Sequence, residues 1–375
     1  LEPKKLGFGL MRLPLMDASD GSSIDLKAVN SMVDAFFAEG FTYFDTAYMY
    51  HGNKSELALR ECLVKRHPRE SFTVATKLPT MFLKEAGDQE RIFTEQLEKC
   101  GVEYFDYYLL HALDANNYQT AKRLGSFEFV SRLKAEGKVR NIGFSFHDSA
   151  SLLDEILREH PEMEFVQLQI NYADWENAGI QSRQCLEAAR RHNKPIVVME
   201  PVKGGTLAHL PEKAEAALRA QAPGLSIPSW AIRFAAGLDG VFMVLSGMSN
   251  MEQLQDNMSF MRDFKPLSPK EWESLQQAMD ALRGMDPIAC TACRYCVDGC
   301  PQKIPIPEYF ALYNAETRMG KTVFSAQKAL YANLIKRYGK ASDCEACGQC
   351  ETMCPQHLPI MMNLAKVAKL FEVKA

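Results

Sequence analysis

From near its start to about position 262 the chain alternates brief β-branched and aromatic runs with amphipathic stretches of helical periodicity, and the alternation repeats eight times. Few folds accept that rhythm. Eight strand-helix units over this length favour a closed (β/α)8 barrel over an open doubly wound sheet. The predicted strands are Gly7–Leu10, Tyr43–Asp45, Thr73–Lys77, Tyr107–His111, Val139–Ser145, Phe165–Ile170, Pro195–Glu200 and Val241–Ser246. Between them Ala28–Glu39, Ser55–Lys65, Arg91–Cys100 and Ile180–His192 read as helices.

A barrel of this kind takes about 250 residues, so a chain of 375 has room for a second module of about 100. The proline-bearing stretch Asp263–Pro269 reads as a linker into a helix Lys270–Arg283. The expected division is therefore a barrel over residues 1–265, a linker and helix over 266–286, and a C-terminal module over 287–375. No G-x-G-x-x-G between strand and helix and no G-x-x-x-x-G-K-[ST] occurs, which removes the usual support for Rossmann or P-loop binding. A formal charge of -4 without a basic run speaks against nucleic acid as a partner. The sequence has no apolar stretch of membrane-spanning length and no signal-type start, so a cytoplasmic location is expected.

In a (β/α)8 barrel the chemistry sits at the C-terminal ends of the strands, so a polar residue closing an apolar run is a candidate on geometry alone. Asp45 closes F-T-Y-F-D, Lys77 closes F-T-V-A-T-K, His111 closes F-D-Y-Y-L-L-H, and Tyr50 lies just past Asp45. Singly, each has a structural explanation as core aromatic, strand end or hydrogen-bonded histidine. Together they make one chemistry. A tyrosine, with its ordinary pKa near 10, becomes a useful proton donor when a cation stands beside it, and an aspartate can hold that lysine in place. His111 would orient a carbonyl.

The segments G-F-T-Y-F-D-T-A-Y-M-Y, V-A-T-K and Y-Y-L-L-H resemble the aldo-keto reductase family over roughly residues 6–262, and their order matches the family's Asp-Tyr-Lys-His tetrad. The resemblance implies hydride transfer between a nicotinamide, NADP(H) or NAD(H), and a small carbonyl or alcohol, with Tyr50 as proton donor. It further implies that Ser145, in G-K-V-R-N-I-G-F-S, and Gln169 contact the carboxamide. The segment from Gly247 through Ser249 to Asn257 would wrap the adenosine end, with Gln253 and Asn257 near the adenine. Three departures stand out. Phe146 and His147 follow Ser145 where the family commonly has Asn; Ser249 stands where many relatives place a cation for a 2′-phosphate; and the family's long C-terminal loop is replaced by the second module. Arg12 is a candidate either for gripping a substrate oxyanion or for a structural ion pair. Tyr48, Met49, Leu78 and Trp175 would supply apolar walls near the mouth.

Eight of the eleven cysteines fall in the last quarter of the chain, which suits metal ligation in a reducing compartment. Cys62, Cys100 and Cys185 read as structural thiols. Cys290-x-x-Cys293-x-x-Cys296-x-x-x-Cys300-Pro301 recurs as Cys344-x-x-Cys347-x-x-Cys350-x-x-x-Cys354-Pro355, the bacterial ferredoxin spacing twice over. The match extends to C-x-A-C-x-x-C-x-x-x-C-P-Q-x-x-P-I in both copies, an internal duplication. Three close thiolates grip one cubane and the fourth serves the other, so two 4Fe-4S clusters with crossed ligand sets are expected. Cys290, Cys293, Cys296 and Cys354 form one set, and Cys344, Cys347, Cys350 and Cys300 the other. Paired zinc sites fit this pattern less well. A helical insert over Pro307–Lys340 gives the module the look of α-helical two-cluster ferredoxin domains.

The leading function is an oxidoreductase acting on a small carbonyl or alcohol. Two others stand beside it: an electron-transfer or redox-sensing protein with a redox partner protein, and a non-redox lyase or epimerase that retains its nicotinamide.

Overall fold

A computed structural model describes residues 4–18, 20–177, 180–282, 287–319 and 326–372. Eight parallel strands close into a barrel in sequence order. They are β1 (Leu6–Gly9), β2 (Tyr43–Asp45), β3 (Thr73–Leu78), β4 (Phe105–Leu113), β5 (Val139–Phe146), β6 (Phe165–Gln169), β7 (Ile196–Met199) and β8 (Val241–Gly247). The largest departure from the sequence reading is β4, which starts two residues earlier and runs two further. Its register with β5 shifts between Leu110 and Leu113. Leu10 belongs to a short 3-10 turn, Leu10–Arg12, and not to β1.

The barrel interior is a plug of Tyr43, Ala75, Leu109, Phe165, Val197, Met243 and Leu245. Glycine appears where the plug needs space: a Cβ on Gly143 would lie 2.4 Å from the Phe165 carbonyl oxygen and 2.7 Å from its ring. On the outer face, Phe8 of β1 and Phe44 of β2 pack on Phe36 of the helix Leu26–Ala38. Each such buried ring contributes about 1.5–3 kcal/mol from area alone.

Helix starts follow capping chemistry. Asp25 accepts from the Ala28 N–H, Asp114 from Asn117, Ser149 from Leu152 and Asn250 from Gln253. The predicted helix Ser55–Lys65 is α-helical only to Leu59 and continues as a wider turn, Arg60–Val64. The other predicted helices appear as Leu26–Ala38, Gly87–Cys100, Ser182–Arg191 and Pro269–Leu282. Arg283 lies outside the described residues. No helix among the described residues is long and apolar enough to cross a membrane.

The chain divides into two compact units: Leu1–Val202 with Arg219–Leu275, and Lys203–Leu218 with Gln276–Ala375. The segment Lys203–Leu218, inside the barrel's span of sequence, thus groups with the C-terminal unit. There Gly204 adopts φ +63°, and a Cβ on it would lie 2.4 Å from the Thr291 carbonyl oxygen. The second unit is built on helices Ile306–Met319, Ala326–Leu334 and Ile360–Phe371 around Ile304, Ile306, Tyr309, Phe310, Tyr331 and Leu364. The middle of the predicted helical insert, 320–325, falls outside the described residues. Asn314 stitches the entry to this core, donating to the Ile288 carbonyl and accepting from the Ile288 N–H, both at 2.8 Å.

Candidate active site and cysteine-lined cavities

Strand alternation brings the predicted residues together. Tyr43, Ala75, Leu109, Phe165 and Leu245 point into the plug, and side chains two residues further along a strand share its face. Asp45, Lys77, His111, Gln169 and Gly247 therefore stand on the inner face at the C-terminal ends of their strands.

Lys77 Nζ donates to Asp45 Oδ1 and to the Thr46 carbonyl, each at 2.7 Å, and both charged side chains are almost fully buried. Burial pushes the Asp45 carboxyl up and the Lys77 ammonium down from their ordinary values, and each partner opposes the other's shift. The ammonium lies 5.2 Å from the centroid of the Tyr50 ring. Tyr50 in turn meets His111 edge-on, with centroids 6.1 Å apart. Burial, then the charge of Lys77 and of His147, holds His111 well below the usual histidine range. At neutral pH it is an uncharged imidazole, able to donate one hydrogen bond.

Two supports of this group were not legible in the sequence. Behind β3, the buried Glu56 carboxylate accepts from Thr76 and Gln96, and Gln96 also donates to the Lys77 carbonyl at 3.0 Å while accepting from the Tyr108 hydroxyl. This network fixes the backbone that carries Lys77. Next to Tyr50, His51 takes the left-handed conformation (φ 53°). Its Nε2 accepts from the Leu13 N–H at 3.1 Å, so its Nδ1 carries the proton donated to the Gly21 carbonyl at 2.7 Å. The kink that presents Tyr50 is thereby pinned to two loops.

Ser145 and Gln169 sit on adjacent strands, Ser145 in register with Gln167. Ser145 Oγ accepts from the Ala112 N–H at 2.7 Å, which leaves the hydroxyl proton to be donated. Ala112, directly after His111, has φ +54° within the register shift of β4, a local strain that aims its N–H at Ser145. Gln169 Nε2 donates to Asp174 Oδ2 at 3.2 Å. A hydroxyl donor and an amide side by side suit a ligand carboxamide, so these residues fit a nicotinamide.

The remaining sequence candidates are placed as follows. Arg12 pairs with Glu200 at 3.6 Å and packs under Gly247. Ser249 Oγ donates to the Arg12 carbonyl, and the Ser249 N–H to Gln253 Oε1. Asn257 is buried and donates to Ser246 Oγ at 3.0 Å. His147 is half-buried, its N–H on the Leu113 carbonyl. Tyr48 turns its hydroxyl to Glu95, Trp175 packs on Phe234, and Leu78 is buried. Cys62, Cys100 and Cys185 are buried thiols.

In the C-terminal unit the eight cysteines ring two cavities. One is lined by Cys290, Cys293, Cys296 and Cys354, the other by Cys300, Cys344, Cys347 and Cys350. Three thiols of each ring come from one repeat and the fourth from the other. The repeats also share a backbone: Ala292, Arg294 and Lys303 are left-handed in the first, and Ala346, Gly348 and His357 at the same offsets in the second. Each repeat then opens a helix at the same offset, at Ile306 and Ile360. Among the described residues no three His, Cys, Asp or Glu groups converge on a single ion. Rings of four thiols around a cavity fit a cubane several ångströms across, with the Ala292 and Ile304 N–H groups donating to Cys290 and Cys300 sulfurs.

Residues 5–280 match the aldo/keto reductase family, and residues 289–360 match the 4Fe-4S dicluster domain. A probable aldo-keto reductase 1 of Glycine max is 32% identical over 188 residues, covering 46% of this chain and 49% of the relative. A 9,11-endoperoxide prostaglandin H2 reductase of Trypanosoma cruzi is 27% identical over 206 residues, covering 54% and 62%. The chain thus spans about half to three fifths of the length of these curated relatives. The crystal structure of an aldo/keto reductase from Klebsiella pneumoniae in complex with NADP and acetate superposes with a TM-score of 0.58 at 20% identity, covering 73% of this chain and 90% of that one. An aldo/keto reductase from Brucella melitensis gives 0.55 at 18%, covering 73% and 94%. At such identities the likeness is one of fold.

Proposed function

Because the chain belongs to the aldo/keto reductase family, we propose that it is a nicotinamide-dependent oxidoreductase that reduces a small carbonyl, or oxidises the alcohol, and carries two 4Fe-4S clusters. The observation that carries this reading is the Lys77–Asp45 pair beneath the ring of Tyr50, with His111 against its edge.

A dihydronicotinamide held by Ser145 and Gln169 would supply the hydride that a carbonyl carbon takes up. As the carbon–oxygen π bond opens, the Tyr50 hydroxyl gives its proton to the oxygen, and the adjacent Lys77 ammonium stabilises the phenolate left behind. Neutral His111 donates a hydrogen bond that orients the carbonyl. Ser145 and Gln169 hold the carboxamide. In the C-terminal unit, Cys290, Cys293, Cys296 and Cys354 would hold one cluster, and Cys344, Cys347, Cys350 and Cys300 the other. Such clusters would supply single-electron chemistry to an outside redox partner, or structural support.

The test is Tyr50→Phe, which keeps the ring against Lys77 and His111 and removes the proton. Carbonyl reduction should fall by about 10²–10⁴-fold while dinucleotide affinity, read by fluorescence titration, stays near wild type. Unchanged turnover overturns the assignment.

A further inference from the structure

We infer that Asp174 is a positioning residue that sets the sense in which Gln169 reads the nicotinamide carboxamide, an inference that rests on the proposed nicotinamide-dependent reaction. Asp174 is fully buried, and its Oδ2 faces two side-chain amides, Gln169 Nε2 at 3.2 Å and Asn171 Nδ2 at 2.9 Å. A carboxylate oxygen only accepts, so both amides must present their NH2 ends to it. In a planar primary amide the oxygen is the other substituent of the same carbon. With its nitrogen on Asp174, Gln169 turns its oxygen away from Asp174 as an acceptor.

The opposite choice has been made on the neighbouring strand. Ser145 Oγ accepts from the Ala112 N–H at 2.7 Å and keeps its hydroxyl proton to donate. A carboxamide carries one carbonyl oxygen and one NH2. Ser145 as donor matches the first, and Gln169 as acceptor matches the second. The pair favours the amide in one orientation over its 180° flip, which would bring oxygen to oxygen at Gln169.

Asp174 is itself held. Its own N–H donates to Asn171 Oδ1 at 2.9 Å, and Asn171 Nδ2 also reaches the Glu200 carbonyl at 3.3 Å. Glu200 leaves β7 with φ +56°, uncommon for a residue with a Cβ, and its carboxylate meets Arg12 at 3.6 Å. The polarity of Gln169 is therefore set by a chain of contacts joining the exits of β6, β7 and β1.

The experiment uses the full-length, cluster-loaded protein and two dinucleotides: the oxidised natural coenzyme and its 3-acetylpyridine analogue, whose methyl ketone lacks the NH2. Binding is read by fluorescence titration. Wild type should prefer the carboxamide form roughly tenfold, the usual worth of one matched hydrogen bond at a buried acceptor. Asp174→Asn lets Gln169 present either end, and the preference should shrink to within about twofold. In a Gln169→Leu background, Asp174→Asn should leave the ratio where Gln169→Leu alone put it. A merely structural Asp174 would weaken both dinucleotides alike and leave the wild-type ratio intact, which overturns the inference. If Asp174→Asn does not accumulate folded, Asn171→Ser, which keeps the carboxylate and loses its anchor, must move the ratio in the same direction. A wild type that binds neither dinucleotide overturns the proposed function along with this inference; a wild type that binds both with a ratio no variant moves overturns the inference alone.

Discussion

Lys77 Nζ and Asp45 Oδ1 meet at 2.7 Å with both side chains shut away from water, and the same ammonium caps the Thr46 carbonyl. A buried pair of this kind is costly to break on one side, because the surviving charge stays desolvated. Lys77→Met should lower unfolding free energy by about 3–5 kcal/mol, and the double variant Asp45→Asn with Lys77→Met should recover part of that loss. Equilibrium urea unfolding measures both. An additive double variant would show that the pair is not coupled. Asp45→Asn alone should reduce turnover by about 10²-fold or more through the loosened ammonium, with little change in dinucleotide affinity.

The kink at His51 makes the presentation of Tyr50 sensitive to acid. Burial is the largest influence on the imidazole and holds its pKa below the ordinary value, against the pull of its backbone hydrogen bonds. A pKa lowered by folding contributes stability that is complete above the unfolded value of about 6.5 and is lost as pH falls through the folded one. Protonation removes the acceptor for the Leu13 N–H. Stability should therefore decline on going from about pH 7 to pH 5, and His51→Gln, less stable at pH 7, should show a shallower decline. Urea midpoints at the two pH values test this; parallel slopes for wild type and variant refute it.

Ser249 grounds a prediction about coenzyme choice. The segment after β8 offers no cation at this position, and Ser249 is occupied with the Arg12 carbonyl and with Gln253. Arg12, whose carbonyl accepts from Ser249, has its guanidinium paired to Glu200. NADH should be used at least as well as NADPH, and Ser249→Arg should shift kcat/KM towards NADPH through a new phosphate contact. A hundredfold wild-type preference for NADPH would sink this.

The barrel and the strand-end residues were legible because they rest on periodicity: a two-residue alternation fixes which side of a strand Asp45, Lys77, His111 and Gln169 occupy. The cysteine rings were legible from spacing alone. What sequence did not disclose are contacts between residues distant along the chain and unremarkable in type. Glu56 lies in the predicted helix Ser55–Lys65 with nothing to single it out until Thr76 and Gln96 close on it. Asp174 sits in a polar loop, and only the fold turns that loop back on Gln169. The bulge at Ala112 has no signature at all, since alanine in the left-handed region is imposed by its surroundings. Arg12 was open between substrate and ion pair, and Glu200, far along the chain, supplies its partner.

The clusters pose a chemical difficulty that sets the last prediction. Nicotinamides move electrons in pairs as hydride, cubanes move them singly, and no flavin motif is visible in the sequence to convert between the two. Direct exchange should therefore be slow, and carbonyl reduction should run equally well with the clusters held oxidised or held reduced. The thiols are nevertheless woven into the C-terminal core: Cys296 and Cys354 are buried in it, and Cys290, Cys300, Cys344 and Cys350 pack against it. Metal binding and folding are coupled in such a module, so chelation should unfold the C-terminal unit first, seen as loss of helical circular dichroism and as new proteolytic cuts after residue 287. Iron analysis should give about eight irons per chain, four for each ring of thiols. The deciding measurement is anaerobic: protein is mixed with the reduced coenzyme, with and without a carbonyl substrate, and the clusters are followed by electron paramagnetic resonance during turnover. Silent clusters at full turnover fit a role in support or in dealings with an outside redox partner. A reduced-cluster signal that rises and decays at the rate of substrate conversion places the clusters on the electron path and overturns this separation of roles.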